Sequence, residues 1–147
     1  MKSSYYKLPL RFGQILETPE MELSRCTLVQ SIEQHLELLI TTCPGEHKFD
    51  MDYGSKIWEL DFDHTVTGKQ WEESFVKYLK ASVSVYEPRL EHIDVTVSAI
   101  DVSKVEMPFA VTAVKKKVDI HIRGLIRDTD EKFSFYYCIY LGPLSSE

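Results

Sequence analysis

Between residues 24 and 41 the apolar side chains Leu28, Val29, Ile32, Leu36, Leu39 and Ile40 recur at steps of three and four, with Gln30, Glu33, Gln34 and Glu37 on the remaining faces. That spacing predicts a helix buried along one side and ended by Pro44-Gly45. A second helix is predicted from Thr67-Gly68-Lys69-Gln70, a capping-box pattern in which the threonine hydroxyl and the glutamine amide satisfy opposing backbone donors. Its apolar face is Trp71, Phe75, Tyr78, Leu79, Ser82 and Val83, and it must stop before Pro88, which bars the helical state for Glu87. Residues 46 to 63 read as a loop-rich connection whose Phe49, Tyr53, Ile57, Trp58, Leu60 and Phe62 are expected to pin it onto the core.

Beyond Pro88 the period changes from helical to two. Ile93, Val95, Val97 and Ala99 alternate with Asp94, Thr96 and Ser98, the pattern of a half-buried strand. Residues 101 to 113 contain Pro108 and no clean period, so they are expected to form a long connection. Lys116, Val118, Ile120 and Ile122 then alternate with polar positions, and Gly124 suggests a bulge or an early end. Phe133, Phe135, Tyr137 and Ile139 alternate with Ser134, Tyr136, Cys138 and Tyr140, with Arg127-Asp128-Thr129-Asp130 as the turn between the two strands. The order predicts an α+β fold: two main helices packed on one face of a small, mostly antiparallel sheet of about three strands. A single domain over residues 1–147 is expected, with 1–23 an extended N-terminal arm. Two sheet edges remain, and unpaired edge groups invite a strand from another chain.

A net charge of -6, with Lys115-Lys116-Lys117 the longest block of one sign, argues against nucleic acid as the main ligand. The N-terminal residues lack the apolar run of a signal peptide, and nowhere do eighteen or so apolar residues follow one another, so a cytoplasmic protein without membrane insertion is expected. Cys26, Cys43 and Cys138 are odd in number and far apart, which predicts reduced thiols.

Catalytic and metal chemistry find no pattern to carry them. Glu59, Asp61 and Asp63 would line one side of an extended segment; read as a calcium loop, however, Val66 stands where the sharp turn needs glycine. Cys43 and His47 lack a second ligand pair for zinc. Glu37, Glu87 and Asp119 are conceivable members of a glycosidase pair, yet none has a companion at fixed spacing. His35 lies in the first helix's apolar stripe and reads as a satisfied core-edge histidine. No cofactor, metal or catalytic residue is assigned.

The remaining signal is Tyr86-Glu87-Pro88-Arg89-Leu90. Glu87 closes a helix whose C-terminal dipole disfavours negative charge by about 0.3 to 1 kcal/mol. Arg89, two residues on in extended backbone, projects to the same side, so it either pairs locally or presents a planar fork to another chain. Together with Ser31-Ile32 through Leu38-Leu39-Ile40-Thr41-Thr42, Gly45-Glu46, Phe49, Tyr53-Gly54 and Trp58, this corner resembles the baseplate-wedge family that includes the phage-tail gene 25-like lysozyme proteins and TssE of the type VI secretion system, over residues 24 to 141. The resemblance implies a cytoplasmic structural protein of a contractile injection machine, not an enzyme. It implies that Glu87, Pro88, Arg89 and Leu90 meet TssF-like and TssG-like wedge subunits in a ring-shaped assembly of repeated copies. It also implies that the C-terminal strands offer an edge to a TssB/TssC-like sheath. The family name leaves a peptidoglycan-cleaving hydrolase as the alternative. Where the family pattern has Asn-Thr-Arg before its glycine, this chain reads Thr41-Thr42-Cys43-Pro44, so whatever the arginine contacts in relatives is not made here by Cys43.

Overall fold

The computed structural model describes residues 5–17, 22–60, 68–106 and 111–141. In chain order the elements are β1 (Tyr5–Tyr6), α1 (Phe12–Glu17), β2 (Arg25–Cys26), α2 (Leu28–Thr41), a 3-10 turn (Lys56–Glu59), α3 (Gly68–Tyr86), β3 (Leu90–Glu106), β4 (Val111–Ile126) and β5 (Lys132–Leu141). Strands β1 and β2 form a small antiparallel pair, and β3, β4 and β5 an antiparallel sheet in that order. Residues 1–23 are thus not extended throughout, since their described part carries β1 and the helix α1.

Helix α2 begins at Leu28, the first residue of its apolar stripe and four residues after the start of the segment read as helical, because Arg25 and Cys26 pair with β1. Thr27 caps it: the threonine Oγ1 accepts from the Gln30 amide, and the Gln30 side chain accepts from the Thr27 amide. Thr67, in the capping box expected for α3, lies outside the described residues, as do Asp61, Phe62, Asp63 and Val66. The apolar stripes behave as their periods require except at Val29, which is exposed at the start of α2. Ile32, Leu36, Leu39 and Ile40 of α2 and Trp71, Phe75, Leu79 and Val83 of α3 share one buried cluster with Val95, Val97, Val118, Ile120, Ile122, Phe135 and Ile139 of the sheet. Register explains why those strand residues meet: Val97 opposes Ile120, which opposes Tyr137, and Val95 opposes Ile122, which opposes Phe135.

The largest departure from expectation lies at residues 101 to 113. Apart from 107–110, which are outside the described residues, this stretch is strand, and the β3–β4 ladder runs on to Glu106 opposite Val111. The last β5 pair is Lys116 with Leu141, so the ladder beyond it is a two-stranded ribbon among the described residues. A clean period of two arises when one face of a sheet lies on a core, and a ribbon leaving the three-stranded part loses that constraint. Strand β3 also starts at Leu90 instead of Ile93. The register shifts between Glu91 and Asp94, where His92 takes a φ of 52°, so the bulge lies on β3 opposite Gly124 and not on Gly124 itself. A Cβ on Gly124 would come within 2.9 Å of the Glu91 carbonyl oxygen.

Of the aromatics expected to pin the connection, Tyr53 packs against the core and Trp58 donates to the Ile40 carbonyl at 2.8 Å, while Phe49 is 88% exposed. Ile57 enters the core and Leu60 packs on it, and the backbone closes the loop further: Ser55 N donates to Thr42 O, Gly45 N to Met51 O, and the buried Ser55 hydroxyl accepts from Ile57 N. Gly54 makes this crossing possible, with a φ of 128° and an ideal Cβ position only 2.6 Å from Thr42 O. Gly54→Ala should therefore cost about 2 kcal/mol, from both the left-handed backbone and the clash, read as a lowered urea midpoint with an unchanged slope.

Candidate functional site

Helix α3 delivers Glu87 to the corner with its amide still donating to Val83 O, and Leu90 N then donates to Glu87 O to complete the turn around Pro88. The carboxylate is not displayed. Glu87 is 1% exposed, and both of its oxygens are occupied from within the chain. Arg89 Nε donates to Oε1 at 2.7 Å and its Nη2 to Oε2 at 2.8 Å, a two-pronged pair, and the Arg89 amide adds a 3.3 Å bond to Oε1. Helix α2 supplies the remainder. His35 Nδ1 lies 2.7 Å from Glu87 Oε2, and Ser31 Oγ accepts from Arg89 Nη1 at 2.9 Å.

Because Ser31 and His35 are four residues apart on α2, one helix face serves both the cation and the anion of the corner. Tyr53 stacks on the His35 ring at 6.0 Å between centroids and meets Tyr86 edge-on at 5.1 Å, which holds the imidazole in place. From the solvent side the Tyr5 ring lies over the Arg89 guanidinium, 5.3 Å from Cζ.

Electrostatics follow from this geometry. Burial by itself would raise the Glu87 carboxyl, but hydrogen bonds from Arg89 and His35, reinforced by their charge, bring it down to about 2. The same carboxylate raises Arg89 against the opposing pull of burial. Burial, followed by the charge of Glu87, pushes the Tyr53 hydroxyl up. With Glu87 ionised, His35 Nδ1 is the donor of their shared bond.

The four residues singled out at the corner separate in the structure. Glu87 and Leu90 are buried, Pro88 is exposed, and Arg89 is partly exposed. The sequence leaves Glu87 and Arg89 either paired with each other or facing another chain, gives His35 no partner and assigns nothing to Ser31 or Tyr5. The only available trace was the four-residue spacing of a polar pair beside the apolar stripe of α2. As chemistry, the corner is a saturated charge cluster whose Glu87 carboxyl is held ionised. Asp119 is no better suited as an acid, since a hydrogen bond from the Tyr136 hydroxyl lowers it. Glu37 lies on the exposed side of α2. His47 accepts from Asp50 N at 3.1 Å and packs on Tyr53, and no group of three or more metal-ligating side chains occurs among the described residues.

Two outcomes follow for stability. A carboxylate lowered from 4.5 to about 2 contributes stability that is fully present above about pH 4.5 and is lost as pH falls toward 2. Denaturant titrations across that window should show a loss of up to about 3 kcal/mol from this group, and Glu87→Gln should flatten the dependence. Arg89→Ala, which strands a buried carboxylate on His35 alone, should cost about 3 kcal/mol in the same assay. Arg89→Lys, keeping the charge without the fork, should cost less.

A family model for baseplate wedge protein gp25 matches residues 26–131. No curated protein matches the chain significantly. Among solved structures, a crystal structure from Geobacter sulfurreducens described as a tail lysozyme aligns with a TM-score of 0.59 at 20% identity, covering 85% of this chain and 99% of the other, which is a likeness of fold. A chain of the baseplate complex from the type VI secretion system aligns with a TM-score of 0.47 at 16% identity, covering 78% of this chain and 93% of the other. No helix among the described residues is long and apolar enough to cross a membrane. The family match takes in α2, the loop closed by Gly54, α3, the Glu-Pro-Arg corner and the sheet as far as the β4–β5 turn, and over that span the chain belongs to the gp25 family of baseplate wedge proteins.

Proposed function

We propose that this protein is a TssE-like structural subunit of the cytoplasmic baseplate of a contractile injection machine, placed between wedge subunits and sheath. The observation that carries the reading is the wedge-family match across the whole corner-bearing region. The corner supports it as a rigid mount. Glu87 works from inside, fixing Arg89 and the turn, so that Pro88 and the partly exposed guanidinium form the surface offered to TssF-like and TssG-like partners. A hydrolase reading has less support, because the Glu87 carboxyl is held low where a general acid needs to be held high.

The two sheet edges are unequal, which bears on how a TssB/TssC-like sheath strand would add. On β3, the outer edge is already engaged, since Ala99 N donates to Glu72 Oε1 of α3 at 3.0 Å. Among the described residues no side chain is bonded to the outer backbone of β5, so strand addition is assigned to β5.

The test is co-expression with the sheath and wedge proteins of the same organism, followed by co-purification and hydrogen exchange. Recovery with those subunits, and new amide protection over residues 132–141 but not 90–100 when sheath protein is added, is the expected result. Clearing of cell walls by the purified chain, or failure to associate with sheath and wedge subunits, would overturn the role. Protection confined to β3 would overturn the choice of edge.

A further inference from the structure

The cover over Arg89 is built differently from everything beneath it. Ser31, His35, Glu87 and Arg89 stand on α2 and on the α3–β3 corner, whose neighbouring side chains are in the central core. Tyr5 is delivered by β1, and none of residues 5–12 belongs to that core cluster. The large apolar side chains of this segment do not anchor it, because Leu8, Leu10 and Phe12 are all exposed.

Among the described residues, the contacts that hold the segment are mostly polar. Tyr5 and Tyr6 pair with Cys26 and Arg25, and Lys7 N donates to Ser24 O at 2.8 Å. Leu8 N donates to Gln34 Oε1 at 2.8 Å, and Gln34 Nε2 in turn donates to Cys26 Sγ at 3.3 Å. The Cys26 thiol donates to Tyr6 O at 3.4 Å. Two cation–π contacts add to these, Arg25 over Tyr6 and Arg89 over Tyr5, and the Tyr5 side chain also hydrogen-bonds Arg89. Segments with few buried apolar contacts open at the low end of a protein's local stabilities.

We propose that residues 5–12 form a releasable strap whose Tyr5 caps Arg89, so that the guanidinium face is uncovered by local opening while the core stays folded. Opening also removes one wall of a groove of about 610 Å³ that Leu8, Pro9, Leu10 and Phe12 form with Gln34, Leu38 and their neighbours on α2. A partner side chain that takes Tyr5's place has to offer the same chemistry, an aromatic face for the guanidinium. This device goes beyond the docking role, and its test needs the full chain alone.

Cys26, 4% exposed beneath the strap, is the reporter, and Cys43 and Cys138, both partly exposed, serve as internal references. Labelling by a thiol-reactive probe is followed site by site by peptide mass spectrometry at increasing urea. Cys26 should label through an opening that depends little on urea, faster than global unfolding allows. Tyr5→Ala should raise its rate about tenfold with the thermal midpoint nearly unchanged, while Tyr5→Phe, which keeps the ring but loses the hydroxyl's bond to Arg89, should fall clearly short of that rise. If Cys26 labels only with the urea dependence of global unfolding, if Tyr5→Ala leaves its rate unchanged, or if Tyr5→Phe behaves as Tyr5→Ala, the strap is refuted.

Discussion

A single carboxylate taken out of water sets the terms for the rest of this fold. Glu87 ends α3, where the helix offers it carbonyl oxygens instead of donors, and at 1% exposure water cannot supply them either. Donors must come from the chain itself, and they come from two directions: Arg89 from the turn just before the next strand, His35 from α2. The buried ion is thereby a junction of three elements. Such a cluster adds little net stability over apolar residues of the same volume, because desolvation offsets most of the Coulomb attraction. What it does supply is geometry. Bond lengths near 2.7 Å and a planar fork leave little freedom in how α2, α3 and β3 meet.

That junction also orders the surface above it. Pro88 is thrust outward by the turn that buries Glu87, and Arg89 is left with one edge engaged by the carboxylate and one face covered by Tyr5. In the role proposed for it, a corner of this kind supplies an orientation that is reproducible from copy to copy. The sheet shows a comparable division. Its helix-facing side is filled by alternating aliphatic and aromatic residues, and one of its edges is engaged by Glu72 from α3 while the other carries no such cap among the described residues.

Much of this was legible along the chain. The stripes of α2 and α3 have the helical period because each helix buries one side, and the residues read as their faces, from Leu28 to Ile40 and from Trp71 to Val83, enter or pack on the core with the exception of the exposed Val29. The three strands were visible where one face is buried and invisible where the β3–β4 ribbon leaves the three-stranded sheet, since period two is imposed by a core and not by the strand itself. The N-terminal pair β1 and β2 left no trace, being two residues long and determined by what it packs against.

At the corner, sequence by itself determined that the helix must stop at Glu87, that the turn is rigid, and that an acid and a base two residues apart lie on one side of it. These are local consequences of proline's ring and of extended backbone. Only the tertiary structure decided that the acid faces inward, because its burial depends on α2 crossing the corner with Ser31 and His35 more than fifty positions away in the chain. The covering of Arg89 by Tyr5 is of the same kind: a contact between distant segments, set by packing and carried by no local pattern.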